Sequence, residues 1–171
     1  TTPTGGAYAQ YVALPAEQVA RAPQGVTHAE AATLPMNGLT ARLALDLAGL
    51  SQGQTLAVTG APGAVGGYVT QLAKADGLTV VADASPTDEE LVRSFGADIV
   101  VPRGADVAQH VLRAVPGGVA GLIDAAVIGS TVVAPAVHDG GVIVTDLGEG
   151  SRALSPDEMG RRSLRMRMAF V

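Results

Sequence analysis

The stretch Thr55-Leu56-Ala57-Val58-Thr59-Gly60-Ala61-Pro62-Gly63-Ala64-Val65-Gly66-Gly67 limits what this chain can fold into more than any other. A short apolar run breaks into a glycine-rich turn, and a helical pattern with Val65, Val69 and Leu72 on one face follows at once. Gly77 stops that helix, and the next apolar run, 79–84, carries Asp83 near its end. Strand, glycine turn, helix, strand and acid in this order describe a βαβ unit that holds a dinucleotide. A diphosphate needs backbone N–H groups aimed at it and a favourable field, and the start of a helix supplies both. A side chain at Gly63 would block the approach of backbone to phosphate, and Gly66 lets the helix pack against the strand. Measured against GxGxxG, Ala61 replaces the first glycine, with Gly60 just before it. The competing explanation is a tight turn with no ligand.

Asp83 is placed to accept hydrogen bonds from an adenosine ribose, which favours NAD over NADP; the alternative is a solvated acid at a strand end. A 2′-phosphate would instead want donors. Ser85 and Thr87 are near, and Arg103 follows the next strand.

From residue 55 the pattern is regular, with strands expected at 55–60, 79–84, 98–102, 121–127, 141–146 and 164–171. Ser85-Pro86-Thr87-Asp88 reads as the start of a helix closed by Gly96: a cap, a proline at the first helical position, then an acid in the first turn. Val107, Val111, Ala114 and Val115 mark another, ended by Pro116-Gly117-Gly118, and Ser130 is expected to cap a fourth. Near-continuous apolar strands alternating with helices imply a doubly wound parallel α/β sheet buried on both faces. Upstream, 7–14 reads as a strand closed by Pro15. Thr27-His28-Ala29-Glu30 is a capping box for a short helix that Pro35 ends. A further helix from Gly38 is expected to carry Leu39, Leu43 and Leu47 on one face.

Composition narrows the chemistry. Apolar residues make up 47% and aromatics only 3%, so Val, Leu, Ile and Ala must fill the core. A net charge of −5 gives no reason to expect nucleic acid. No apolar run approaches the length that spans a membrane. The absence of cysteine removes disulfides, thiolate nucleophiles and cysteine-ligated metal sites. It fits a cytoplasmic protein, and the opening Thr-Thr-Pro-Thr-Gly-Gly is not expected to be a signal peptide.

Other polar residues have plainer readings. His28, His110 and His138 show no metal spacing. Asp124, inside an apolar strand, is expected to be a buried acid bonded to neighbouring backbone. Asp146 falls at the carboxyl edge of the sheet, and Tyr8 reads as a core or interface residue. Arg161, Arg162, Arg165 and Arg167 are four of eleven basic residues. The last two alternate with Leu164, Met166 and Met168, as on a charged edge strand that discourages aggregation.

Several segments match a known family in order and spacing: Gly6-Ala7-Tyr8-Ala9-Gln10-Tyr11-Val12, Ala31-Ala32-Thr33-Leu34-Pro35, Gly38-Leu39-Thr40-Ala41, the glycine turn, Gln71-Leu72-Ala73-Lys74 and Phe95-Gly96-Ala97-Asp98. The chain resembles the zinc-independent, quinone-oxidoreductase-like branch of the medium-chain dehydrogenase/reductases. The resemblance implies a Rossmann-type six-stranded sheet over 27–171. It also implies that 1–26 is the tail of a GroES-like substrate domain, the rest of which lies outside this sequence. It carries cofactor contacts to Asn37, Thr40, Pro62, Gly63, Ala64, Val65, Gly66, Asp83, Ser85, Ala126, Val127, Leu147, Gly148, Phe170 and Val171. Met36 stands in the segment where zinc-dependent relatives place a cysteine ligand. The implied cofactor is NADP(H), against the NAD(H) that Asp83 alone would favour. The implied reaction is hydride transfer to a quinone or an activated alkene or carbonyl, with no catalytic side chain identified. The edge strand 164–171 is implied to pair two copies in a homodimer. The alternatives are a nucleotide-binding module without turnover and an enoyl-reductase domain of a larger synthase.

Overall fold

The structure, a computed structural model, describes residues 9–145 and 153–169. The chain divides into two compact units, 1–33 and 34–171.

In the first unit the strand expected over 7–14 does not form in its described part. Residues 9–14 are irregular, and Tyr11 and Leu14 stand exposed. Favourable side chains do not make a strand without a ladder to pair with and a face to bury. A short 3-10 turn, Ala16–Gln18, follows. The helix α1 (His28–Ala32) opens on the expected capping box. Thr27 Oγ1 accepts the Glu30 amide at 3.2 Å, and Glu30 Oε2 accepts the Thr27 amide at 2.7 Å.

In the second unit, β1 (Thr55–Thr59), β2 (Thr79–Ala84), β3 (Ile99–Pro102), β4 (Val119–Asp124), β5 (Val137–Thr145) and β6 (Arg165–Met168) form one parallel sheet. Its order is β3-β2-β1-β4-β5-β6, so the winding reverses between β1 and β4, as the Rossmann-type reading expects. Alternate strand residues serve opposite layers. Leu56, Val58, Val80 and Val142 meet α2 (Leu34–Ala48) and α3 (Ala64–Ala75). Ala57, Val81, Leu122 and Ile143 meet α5 (Val107–Ala114) and α6 (Ser130–Val133). Burial on both faces is why these strands read as unbroken apolar runs.

Several boundaries move. The α2 helix begins at Leu34, with Pro35 in its first turn where its missing N–H costs nothing, rather than at Gly38. Its buried face is Ala41, Ala44, Leu45 and Ala48, while Leu39 is exposed. Close packing along α3 favours the small residues. Ser85 to Asp88 form a turn, closed by the Asp88 amide on the Ser85 carbonyl at 3.0 Å, and α4 (Glu89–Ser94) starts one residue later. Ser130 does not cap α6; Gly129 precedes that helix, and the Ser130 hydroxyl accepts the Leu154 amide at 2.9 Å. The β5 strand starts at Val137, opposite Val119, and a bulge separates that pair from Gly121 opposite Val142. A further helix, α7 (Pro156–Arg162), is capped by Ser155.

The tightest joint of the sheet is between β1 and α3. A Cβ on Gly66 would lie 2.2 Å from the Gly60 carbonyl oxygen and 2.8 Å from Ala61 Cα, all backbone. Gly66→Ala should therefore cost about 2–3 kcal/mol, roughly 5–10 °C in thermal midpoint, read by circular dichroism melting.

Candidate functional site

The chain leaves β1 through Gly60, whose φ of +70° lies in the left-handed region. A Cβ there would press on the Ala126 nitrogen at 2.9 Å, so the turn also touches the loop after β4. The Gly63 amide donates to the Gly60 carbonyl at 2.9 Å and closes the turn. Ala61 and Gly66 are buried, whereas Gly63 and Ala64 face solvent. Gly63 is the residue before α3 and offers no side chain to cap it. The first bond of the helical ladder runs from Gly67 to Gly63 at 2.8 Å, which leaves the amides of Ala64, Val65 and Gly66 without an acceptor inside the helix. An uncapped, exposed helix start is a place where an anion is stabilised.

Two buried acids flank this turn. Val58 pairs with Ala82 and Thr59 with Asp124, so Asp83 on β2 and Asp124 on β4 lie on either side of Thr59. Asp83 is 3% exposed, and its Oδ1 accepts the Ala61 amide at 3.1 Å. Burial pushes its carboxyl above the usual range. The Ala61 and Gly60 amides and Arg103 pull the other way, and Asp124 adds a further upward push. The side chain thus turns beneath the glycine turn.

Asp124 is fully buried. Its Oδ1 accepts the Thr59 hydroxyl at 2.6 Å and the Ile128 amide at 3.1 Å, and its Oδ2 accepts the Gly129 amide at 2.9 Å. It is the backbone-bonded acid expected from sequence, and it ends β4 three residues before 127 by catching the chain. The loop it holds contains Val127 at φ +53°, a conformation that costs a β-branched residue about 1–3 kcal/mol.

The structure brings these pieces together along the carboxyl edge of the sheet. Asp83, Arg103, Gly104, Ala105, Ala126 and Ile128 line one shallow cleft, and Ala84, Ser85, Pro86, Glu89 and the β3 end line its neighbour. Arg103 reaches Asp88 at 3.4 Å, and Ser85 Oγ donates to Asp88 at 2.5 Å. Pro62, Gly63, Ala64, Val65 and Gly66 form the turn itself. Thr40 is nearly buried on α2, its hydroxyl donating to the Met36 carbonyl at 2.7 Å, and Asn37 is half-buried one turn before it. Leu147, Gly148, Phe170 and Val171, with Tyr8 and Asp146, lie outside the described residues. The histidines remain apart. His110 contacts the Pro102 carbonyl and His138 that of Asp139, each at 2.8 Å. Among the described residues no group of three metal-ligating side chains converges, and no helix is long and apolar enough to cross a membrane. Thr59, Ile128 and Gly129 were not singled out in the sequence. Thr59 meets Asp124 through the register of β1 on β4, and Ile128 and Gly129 bond it within an irregular loop that no periodic pattern marks.

No protein-family model matches the chain. Its sequence is similar to the 2-methylene-furan-3-one reductase of Solanum lycopersicum, 42% identical over 98 residues, which is 56% of this chain and 25% of that protein. It is similar also to an alcohol dehydrogenase of Geobacillus stearothermophilus, 38% identical over 114 residues, covering 66% of this chain and 34% of that one. The fold matches the quinone oxidoreductase of Thermus thermophilus, a structure solved alone and with NADPH. The TM-score is 0.79 at 29% identity, over 92% of this chain and 52% of the other. The chain therefore spans about a quarter to a third of the length of these curated relatives. The relatives and structural neighbours are medium-chain dehydrogenase/reductases.

The Thr59–Asp124 link offers a direct check on the site's frame. Thr59→Val should cost about 1–2 kcal/mol, because one hydroxyl bond is lost while two amides still satisfy the acid. Asp124→Ala, which strands the hydroxyl and both amides, should cost roughly 3 kcal/mol or more. Urea denaturation midpoints of the two variants separate these outcomes.

Proposed function

We propose that this chain is the dinucleotide-binding part of an oxidoreductase that uses NADP(H). The observation that carries this reading is the uncapped start of α3, where Gly63 and Ala64 meet solvent next to the point at which the sheet reverses its winding. Ligands bind at such points in open α/β sheets. The likeness to reductases and dehydrogenases supports it further.

The residues present fit such a cofactor. The amides of Ala64, Val65 and Gly66 would hold the diphosphate, and Pro62 and Gly63 would let the backbone approach it. Ser85 would meet the adenosine-side ribose, in the role first expected of Asp83, whose carboxylate is engaged by Ala61. With that acid turned inward, the argument for NAD weakens. The Ser85 and Thr87 hydroxyls and Arg103, half-exposed, suit a 2′-phosphate better. Ala126 and Val127, on the loop that Asp124 fixes, would border the nicotinamide, with Thr40 and Asn37 as its further contacts. When bound, the nicotinamide supplies the hydride. The protein's part is to fix the ring's position and exclude water.

The acceptor we infer is a quinone or an activated alkene or carbonyl. The name of the tomato relative, a reductase of a methylene-furanone, supports the conjugated alkene among these. The reaction is read as independent of zinc, since the chain has no cysteine and Met36 occupies the segment that carries one in zinc-dependent relatives. Residues 1–26 are read as the end of a substrate domain, and β6, an exposed edge, as the strand through which two copies pair.

Titration with NADPH and NADH, followed by nicotinamide fluorescence, tests the reading. NADPH should bind the more tightly, and absence of binding by either cofactor overturns the proposal. Gly63→Ala should weaken NADPH at least about tenfold by crowding the phosphates. It should leave the fold intact, because the added Cβ meets one atom, the Gly60 carbonyl oxygen at 3.1 Å, and a shift of a few tenths of an ångström relieves that contact. Binding without NADPH oxidation by a panel of quinones and enones would point instead to a non-catalytic nucleotide module.

A further inference from the structure

Asp83 is a buried acid that hydride chemistry leaves unused. It is held on β2 with its Oδ1 3.1 Å from the Ala61 nitrogen. Two residues beyond Ala61 the same turn presents Gly63 and the start of α3 to solvent. The carboxyl group is therefore bonded into the same turn whose far end would carry a diphosphate. Its position sets two effects against each other. As an acceptor it fixes the turn, and as an anion it places like charge next to a bound diphosphate.

The charged surroundings do not offset this. Arg103, from the loop after β3, shares a cleft with Asp83, but it reaches toward Asp88 at 3.4 Å and is half-exposed. Asp124, across β1, is a second acid, bonded to Thr59 and to two amides. The glycine turn itself contributes only the neutral amides of Gly60 and Ala61. One cation with a partner of its own faces an acid, a neighbouring acid and an incoming dianion.

We propose that Asp83 is a proton-linked positioning residue, which holds the glycine turn through the Ala61 amide and takes up a proton from solvent as a diphosphate settles on that turn. This rests on the dinucleotide reading above. The proton adds to the carboxyl group while Oδ1 keeps its bond from Ala61, so the turn stays fixed and the like charge is removed. Burial already moves the titration of this carboxyl up from the ordinary range in the free protein, and a bound diphosphate moves it further in the same direction. The sign follows by linkage. A group titrating higher in the complex than in the free chain favours binding at low pH, and the advantage is lost as pH rises through the complex's value.

The probe is ADP-ribose, which carries the diphosphate but no 2′-phosphate with a titration of its own. Calorimetric titration of the full chain between about pH 5 and 8, in two buffers of different ionisation enthalpy, reads proton uptake directly. Uptake of up to one proton per ADP-ribose is expected in the acidic part of the range. The Kd should rise with pH there by at most about tenfold per unit. Asp83→Asn keeps the acceptor for Ala61 and removes the proton. Its Kd should be flat across that range, with no buffer-dependent heat, and at high pH it should bind at least as tightly as the unaltered chain. A purely structural role for Asp83 would leave the variant and the unaltered chain with the same pH profile. Binding without proton uptake, or an Asp83→Asn variant with the parent's slope, overturns the proposal and spares the dinucleotide reading. Failure of the folded chain to bind ADP-ribose at any pH overturns both. Should the variant not fold, the two-buffer heats of the unaltered chain decide: no uptake overturns the proposal.

Discussion

Between Gly60 and Gly66 the backbones of β1 and α3 approach until no side-chain atom fits between them. That closeness brings the first turn of α3 to the end of the central strand. It leaves the helix start uncapped and in solvent, and aligns the helix dipole with the sheet's carboxyl edge. The proposed cofactor site uses groups that this contact positions. Gly60 shapes the same joint from the other side, since its left-handed turn also lets the loop after β4 pass close by.

The two buried acids convert that joint into a rigid frame. Neither faces solvent, and each spends its oxygens on the main chain or on Thr59. Charged groups this deep are retained where the bonds they accept fix a shape that apolar packing would leave loose. Here the shape is the path of two loops, 60–63 and 125–129, on either side of the sheet's reversal point.

Much of this could be read from the chain because it is local. The glycine turn, the Thr27–Glu30 box and the apolar runs of β1 and β2 each carry their signal within a few residues, and the structure places them as expected. What escaped depends on partners distant in sequence. Ser130 looks like a cap, but Leu154 takes its hydroxyl. The apolar run places the start of the fifth strand at 141, yet β5 begins at Val137, which pairs with Val119 ahead of a shift in register. Asp83 sits where an acid would face a ribose, and only the approach of Ala61 reveals that it points inward. Ser155-Pro156-Asp157-Glu158 does carry a local helix-start signal, a cap followed by proline and two acids, so α7 is legible in the sequence. Residues 9–14 show the reverse error, since aromatic and β-branched residues there suggested a strand that nothing in the ladder supports.

Val127 shows where this protein's stability is spent. A branched side chain in the left-handed region persists only while its surroundings forbid relaxation, and the Asp124 bonds to Ile128 and Gly129 supply that constraint. Selection for heat resistance alone would replace such a residue early, because asparagine or glycine sits there at less expense. A library screened only for survival on heating would thus drift toward sturdier chains with a slackened 125–129 segment. Thermostability and the contour of the proposed cofactor cleft would be traded against each other at this one position.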